Sequence, residues 1–314
     1  MALTPAQIGK VLSAARAYPV TGPTQTVEQF YGSTLALNAV ELAENFPSPD
    51  PLGLTAIAVG RLTALREETL RDKCEVPSYV IYKTALGHCI CGLAYYYTHV
   101  KAVVNHPADF IDRLSQMRKV RNQLISIDKG HNLETLAAAL LAKVCMRGEA
   151  TKGSGDQGID AFGEHDLIPI DPVFIDGEIN ESKVFPGQKV IILASSKANV
   201  AKSDPPDIIS PAHIRELVGG WLIQRSEISM WKTLGVQMLT PLQLLLATTY
   251  RLSAESKLYC NRLGVQVWGI PELTYLICRY APSDIFSVSS GFSAPRFEKW
   301  WKEKEATKVF PVTV

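Results

Sequence analysis

The sequence predicts a mainly helical domain over residues 1–127, followed by an α/β domain with a mixed sheet over residues 128–314. Three observations carry that prediction. Up to Ile127 the apolar residues recur largely at helical spacing. The triplet Asp128-Lys129-Gly130 is a turn signal that closes this half. Beyond it, short apolar runs alternate with helical segments, the order expected when helices cover a sheet.

In the first half, Ala6 to Arg16 reads as a short amphipathic helix and Leu52 to Arg71 as a longer one. Tyr79 to Val104 is the most apolar long stretch and reads as a central buried helix. Its Lys83, His88, His99 and Lys101 argue against a membrane span. Ala108 to Ile127 is expected to form one further helix, carrying Arg113, Arg118, Lys119 and Arg121.

In the second half, Asn132 is a candidate N-cap. Leu133, Leu136, Ala137, Leu140, Leu141 and Val144 follow helical spacing, and Gly148 reads as the stop. The glycine-rich TKGSGDQGIDAFG (151–163) leads into a strand beginning near Ile159. A polar stretch from Glu164 to Gly187 has room for a hairpin near Asp176-Gly177. KVIILAS is a buried strand, and a loop with Pro205, Pro206 and Pro211 leads to a helix around His213 to Gln224. LQLLLATT, the segment Ser253 to Leu263, and VQVWGI then read as strand, helix and strand, before a helix after Pro271.

With 46% apolar and 20% charged residues in 314, the chain can bury a core without disulfide or metal staples. A net charge of +1 offers no chain-wide attraction to nucleic acid, so any such affinity has to come from local patches. The opening MALTPAQIGKVLSAARAYPV lacks signal-peptide layout. Six scattered cysteines, of which only Cys89 and Cys91 are close, fit a reducing cytoplasmic compartment.

Two segments carry candidate chemistry. Gly153, Gly155 and Gly158 permit a tight path before Ile159 and Asp160. The spacing excludes a G-x-x-x-x-G-K-[ST] phosphate loop and a D-x-[DN]-x-[DN]-G calcium loop. Taken alone, Asp160 reads as an acid in a solvated turn. In VIILASSKAN alternate side chains share a face, so Ser195 and Lys197 point the same way. Taken alone, Lys197 reads as a solvated strand end. Together, a carboxylate and a lysine at neighbouring strand ends suit phosphodiester hydrolysis. The carboxylate binds Mg2+ (or Mn2+), and the lysine orients or activates a water and supports developing charge.

From Leu133 to Leu276, under half of the chain, this order resembles the catalytic domain of Mrr-like restriction endonucleases in the PD-(D/E)XK nuclease superfamily. Their pattern is a helix with an acidic residue, a G-x-G-D-x-G-I-D turn and strand, and a strand ending in Q-x-K. Here LETLAAALLAKVCMRG places Glu134 at the acidic position, and GSGDQGID (Gly153 to Asp160) matches the turn almost letter for letter. Lys197 stands at the lysine. HIRELVGGW and LLLATTYRLSAESKLYCNRLGVQVWGIPEL resemble the later helix and closing segment. The resemblance implies a restriction-endonuclease-like fold and a Mg2+-dependent endonuclease acting on double-stranded DNA in restriction or antiphage defence. It implies that Asp160 binds metal and that Lys197 assists the attacking water. Cutting both strands with one such site per chain implies a homodimer or larger assembly.

Ser195 is the departure, because the family has Gln or Glu there. Some enzymes of the superfamily carry serine and supply the carboxylate from the following helix. That makes Glu216, beyond the proline-containing loop 203–211, a candidate catalytic and metal-binding residue. Glu216 also reads as an exposed helix residue, and Glu134 suits a helix N-terminus whatever its function. Asp156 is expected to shape the turn. Ser195 keeps one alternative open, a catalytically degenerate nuclease fold that binds DNA or a partner. A further alternative is a nuclease effector subunit gated by another component of a defence complex.

Other signals are weaker. Cys74, His88, Cys89 and Cys91 are set aside as a zinc set because a helix would point them apart. The basic helices, with Arg61, Arg66 and Arg71 and with Arg113, Arg118, Lys119 and Arg121, read as solvated faces or phosphate contacts. Trp300 and Trp301, beside Lys299, Lys302 and Lys304, are expected to pack on the domain, with stacking on nucleic acid as the alternative.

Overall fold

The computed structural model describes residues 3–46, 56–85, 87–100, 107–127, 131–145, 147–151, 159–166, 174–175, 178–179, 189–226, 241–287 and 291–305. The chain forms two compact units, Met1–Arg118 and Lys119–Val314.

In the first unit, α1 (Pro5–Arg16), α2 (Val27–Leu35) and α3 (Ala39–Asn45) each open on a capping box, from Thr4 with Gln7, Thr26 with Gln29, and Asn38 with Glu41. A fourth helix, α4 (Ala56–Asp72), buries Ala58, Leu62 and Leu65 against Val11, Val27, Phe30 and Tyr31. The stretch expected to be a central helix instead forms two strands over its first half. β1 (Gln25–Thr26), β2 (Tyr79–Thr84) and β3 (Gly87–Gly92) form an antiparallel sheet in the order β1-β3-β2.

The reasons for that correction are local. Tyr79, Val80, Ile81 and Tyr82 are β-branched or aromatic and favour a pleated strand. Gly87, at φ 102, turns the chain where other residues would be strained. Gly92 lies so close to the Val20 carbonyl that a Cβ would overlap it. Among the described residues of this stretch, only Leu93–Tyr95 (α5) and a π-helical turn, Tyr96–Val100, are helical. Two buried hydroxyls tie the elements to α4: Tyr79 donates to the Leu62 carbonyl at 2.9 Å and Tyr31 to that of Ala58 at 3.3 Å.

The helix expected over 108–127 is two helices, α6 (Phe110–Ser115) and α7 (Met117–Ser126). Its basic residues do not share a solvated face. Arg113 is 1% exposed, with Nε 2.8 Å from Asp109 Oδ1, and Arg121 is buried with Nη2 2.8 Å from Asp204 Oδ1. Arg118 and Lys119 are exposed. The turn Asp128-Lys129-Gly130 lies outside the described residues.

The second unit is built on α8 (His131–Val144) and a five-stranded sheet of β4 (Arg147–Ala150), β5 (Ala161–Asp166), β8 (Lys189–Lys197), β10 (Leu242–Thr248) and β12 (Gln266–Trp268). Between β5 and β8, the two-residue strands β6 (Phe174–Ile175) and β7 (Glu178–Ile179) pair antiparallel, while Asp176-Gly177 lies outside the described residues. The sheet order is β12-β10-β8-β5-β4. β10 pairs parallel with both β8 and β12, and β5 pairs antiparallel with both β8 and β4, so the sheet is mixed, as the sequence predicts.

β4 was not expected, since Gly148 reads as a helix stop. Gly148 instead pairs with Gly163 across β4 and β5, and a Cβ on Gly148 would overlap the backbone of α8 at Leu141 and Ala142. α8 therefore lies directly on this face. The other face carries Phe162, Ile191, Leu193, Leu244 and Leu246. It packs on Ile214 and Leu217 of α9 (Pro211–Ser226) and Cys260 of α10 (Ala254–Leu263). Short strands β9 (Ile208–Ile209) and β11 (Arg251–Leu252) pair beside it. A helix α11 (Ile270–Tyr280), the β-bridge of β13 (Phe286–Ser287) with β14 (Gly291–Phe292), and α12 (Ala294–Lys302) complete the unit. On α12, Trp301 is buried and Trp300 half-buried beside Phe297, so both tryptophans pack on the unit.

Candidate active site

The site grows from one end of the sheet. β5 begins where β8 ends, because Ala161 pairs with Ala194 and the Asp160 amide donates to the Ala194 carbonyl at 2.8 Å. Continuing that antiparallel register sets Asp160 beside Ser195. Alternation then places Asp160 on the face of Phe162, and Ser195 and Lys197 on the face of Ile191 and Leu193. These are the same face, the one covered by α9. The parallel strands β8 and β10 end here too, and their carboxyl ends are where open α/β sheets bind ligands.

Asp160 is held by its neighbours. Its Oδ2 accepts from the Ser196 amide at 2.5 Å and from the Ser195 hydroxyl at 3.3 Å. Behind it, the Thr151 amide donates to the Asp160 carbonyl at 3.0 Å and the Thr151 hydroxyl to the Ile159 carbonyl at 2.7 Å. Ser195 is 2% exposed, whereas the Lys197 side chain is one-third exposed. The Lys197 ammonium lies 4.0 Å from Glu216 Oε2 on α9, and Glu216 is mostly solvated. An ion pair this open is screened and contributes little to stability, so its effect is on where the two side chains sit.

The structure thus brings Asp160, Ser195, Lys197 and Glu216 to one edge and one face. Glu134 stands in the first turn of α8, the helix that lies on the other face of the sheet. Asp156 and the glycines at 153, 155 and 158 lie outside the described residues. Among the described residues there is no group of three or more His, Cys, Asp or Glu side chains placed to hold a metal ion. His88, Cys89 and Cys91 lie on β3 rather than on a helix, and burial pushes the Cys91 thiol up to about 11.

Sequence reading assigns no role to three buried polar residues at this end, Asn199, Thr248 and Thr249. Thr248 pairs with Lys197 in the parallel ladder, and its hydroxyl donates to the Lys197 carbonyl at 2.8 Å. The same carbonyl accepts from the Thr249 amide at 3.1 Å, and the Thr249 hydroxyl accepts from the Asn199 amide at 2.6 Å. The signal was the polar pair closing LQLLLATT, which reads simply as the end of a strand.

No protein-family model matches the sequence, and no curated protein matches it. Two solved structures are similar in shape. One is the MspJI restriction endonuclease in complex with a 27-mer oligonucleotide, at 15% identity and TM-score 0.38, over 63% of this chain and 37% of that one. The other is the DNA modification-dependent restriction endonuclease AspBHI, at 11% identity and TM-score 0.34, over 73% of this chain and 60% of that one. The chain spans less than two thirds of either. Likeness at this level leaves the fold resting on its own strand order and pairing.

Proposed function

We propose that the chain is a metal-dependent DNA endonuclease that cuts double-stranded DNA in restriction or antiphage defence. It would work in the cytoplasm as a homodimer or larger assembly, one site per chain. The supporting observation is the meeting of Asp160, Lys197 and Glu216 at one sheet edge on one face. A carboxylate or two, with waters and phosphate oxygens, suits Mg2+ better than a softer metal. Asp160 and Glu216 would hold it. When bound, such an ion polarises a phosphate oxygen and lowers the pKa of its water.

The chain's own residues do the rest. The Ser196 amide and Ser195 hydroxyl fix the Asp160 carboxylate in one orientation. Lys197 stands within reach of the same edge to orient the attacking water and support negative charge on phosphate. Glu216 sets the direction of the lysine. Glu134 is the remaining acid of the proposed set, on a different helix.

Ser195 supports a second reading, a nuclease fold that binds DNA without cutting it. It is buried, neutral, and already engaged with Asp160. Incubation with plasmid and linear DNA in Mg2+ or Mn2+ separates the two. The nuclease reading expects cleavage, reduced about 10²–10³-fold by Asp160→Ala and by Lys197→Ala. Cleavage that survives both substitutions sinks the proposed site. Binding without cleavage favours the second reading, and dependence on an added protein or nucleotide favours a gated effector subunit.

A further inference from the structure

We propose that Thr248 and Thr249 are positioning residues that hold Lys197 at the site edge. This deepens the nuclease reading and rests on it for its kinetic consequence. Strand β8 ends at Lys197, so beyond it the ladder no longer fixes the backbone. Three hydrogen bonds take its place. The Lys197 carbonyl accepts from the Thr248 hydroxyl at 2.8 Å and from the Thr249 amide at 3.1 Å. Two residues on, the Asn199 amide donates to the Thr249 hydroxyl at 2.6 Å. The backbone is thus gripped at the lysine and two residues beyond it by adjacent threonines at most 1% exposed.

The grip continues outward. The Thr248 hydroxyl also accepts from the Tyr250 amide at 3.0 Å, which fixes the direction of its donated proton. Asn199, itself 1% exposed, accepts from the Ala201 amide at 3.3 Å and donates to Ser203 Oγ at 3.4 Å. Valine keeps the shape and loses only the hydroxyl's bonds: those to the Lys197 carbonyl and Tyr250 amide at position 248, and that to the Asn199 amide at position 249. Lysine is a long lever, and a small rotation of its peptide moves Nζ by a distance comparable to the tolerance of a catalytic group.

The test uses the full chain with Thr248→Val, Thr248→Ser and Thr249→Val. Cleavage is followed in Mg2+, and Lys197 is read directly by NMR of the 13C-dimethylated protein, its signal assigned by its loss in Lys197→Arg. In Thr248→Val, which loses the hydroxyl bond to the Lys197 carbonyl, kcat is expected to fall about 10²-fold with KM unchanged, and the Lys197 methyl resonance to shift. Thr248→Ser restores both, and Thr249→Val gives a smaller loss because both bonds to the Lys197 carbonyl remain. An unshifted Lys197 resonance in Thr248→Val, or a serine variant no better than valine, overturns the proposal. If the unmutated chain cuts no DNA, the nuclease reading fails while the resonance still decides the grip.

Discussion

Asp160 has its Oδ2 turned toward protein donors, a backbone amide at 2.5 Å and a hydroxyl at 3.3 Å. The two do not count equally. The shorter bond is to the main chain and persists whatever side chain follows, while the longer one belongs to Ser195 alone. Removing that hydroxyl in Ser195→Ala is expected to cost about 1 kcal/mol or less of stability. Cleavage should remain within a fewfold of the unmutated chain, because the Ser196 amide still orients the carboxylate. A loss as deep as that of Asp160→Ala would instead make Ser195 a direct ligand of metal or phosphate. The candidate residues were legible because their types and spacing match a motif. What spacing cannot reveal is the partner of each side chain. Lys197 meets Glu216 only after the loop through Pro205 and Pro206 has folded back, and no periodicity encodes that return.

At the scale of elements, β2 is tied to α4 by the Tyr79 hydroxyl, and burial pushes that phenol up to about 12 from 10.0. A group whose folded pKa is raised contributes fully below its unfolded pKa. Between pH 10 and 12 the unfolded chain loses the proton while the folded one keeps it, so stability falls as pH rises. Urea denaturation at stepped pH should show the unmutated chain losing on the order of 2–3 kcal/mol more than Tyr79→Phe across that window. Parallel curves would mean that the phenol is not buried as described.

This hairpin is also where sequence reading failed. Tyr79 to Val104 was read by overall apolarity, which buried helices and buried strands share. Gly87 and Gly92 were the marks of a hairpin. β4 was missed because Arg-Gly-Glu-Ala has no apolar alternation; it is an edge strand whose glycine serves the approach of α8. By contrast β8, β10, α9 and α10 were legible, since each places a full apolar face on one core.

Across the whole molecule, the cysteines behave as core residues. Five of the six are buried and Cys145 is half-buried, and burial pushes both Cys91 and Cys145 up to about 11. The thiolate is the reactive form, so at pH 8 the native chain should react slowly with an aromatic disulfide reagent and release all six equivalents promptly in urea. Six prompt equivalents without denaturant would contradict this packing. The pairing of β5 with β8 has a last consequence. It runs from Asp166 opposite Lys189 to Ala161 opposite Ala194, so the connection between the strands leaves from the end remote from Asp160. A change of length there would be taken up at the end remote from Asp160 and Lys197. The sheet acts as a ruler that keeps one acid and one lysine in step whatever the length of chain between them.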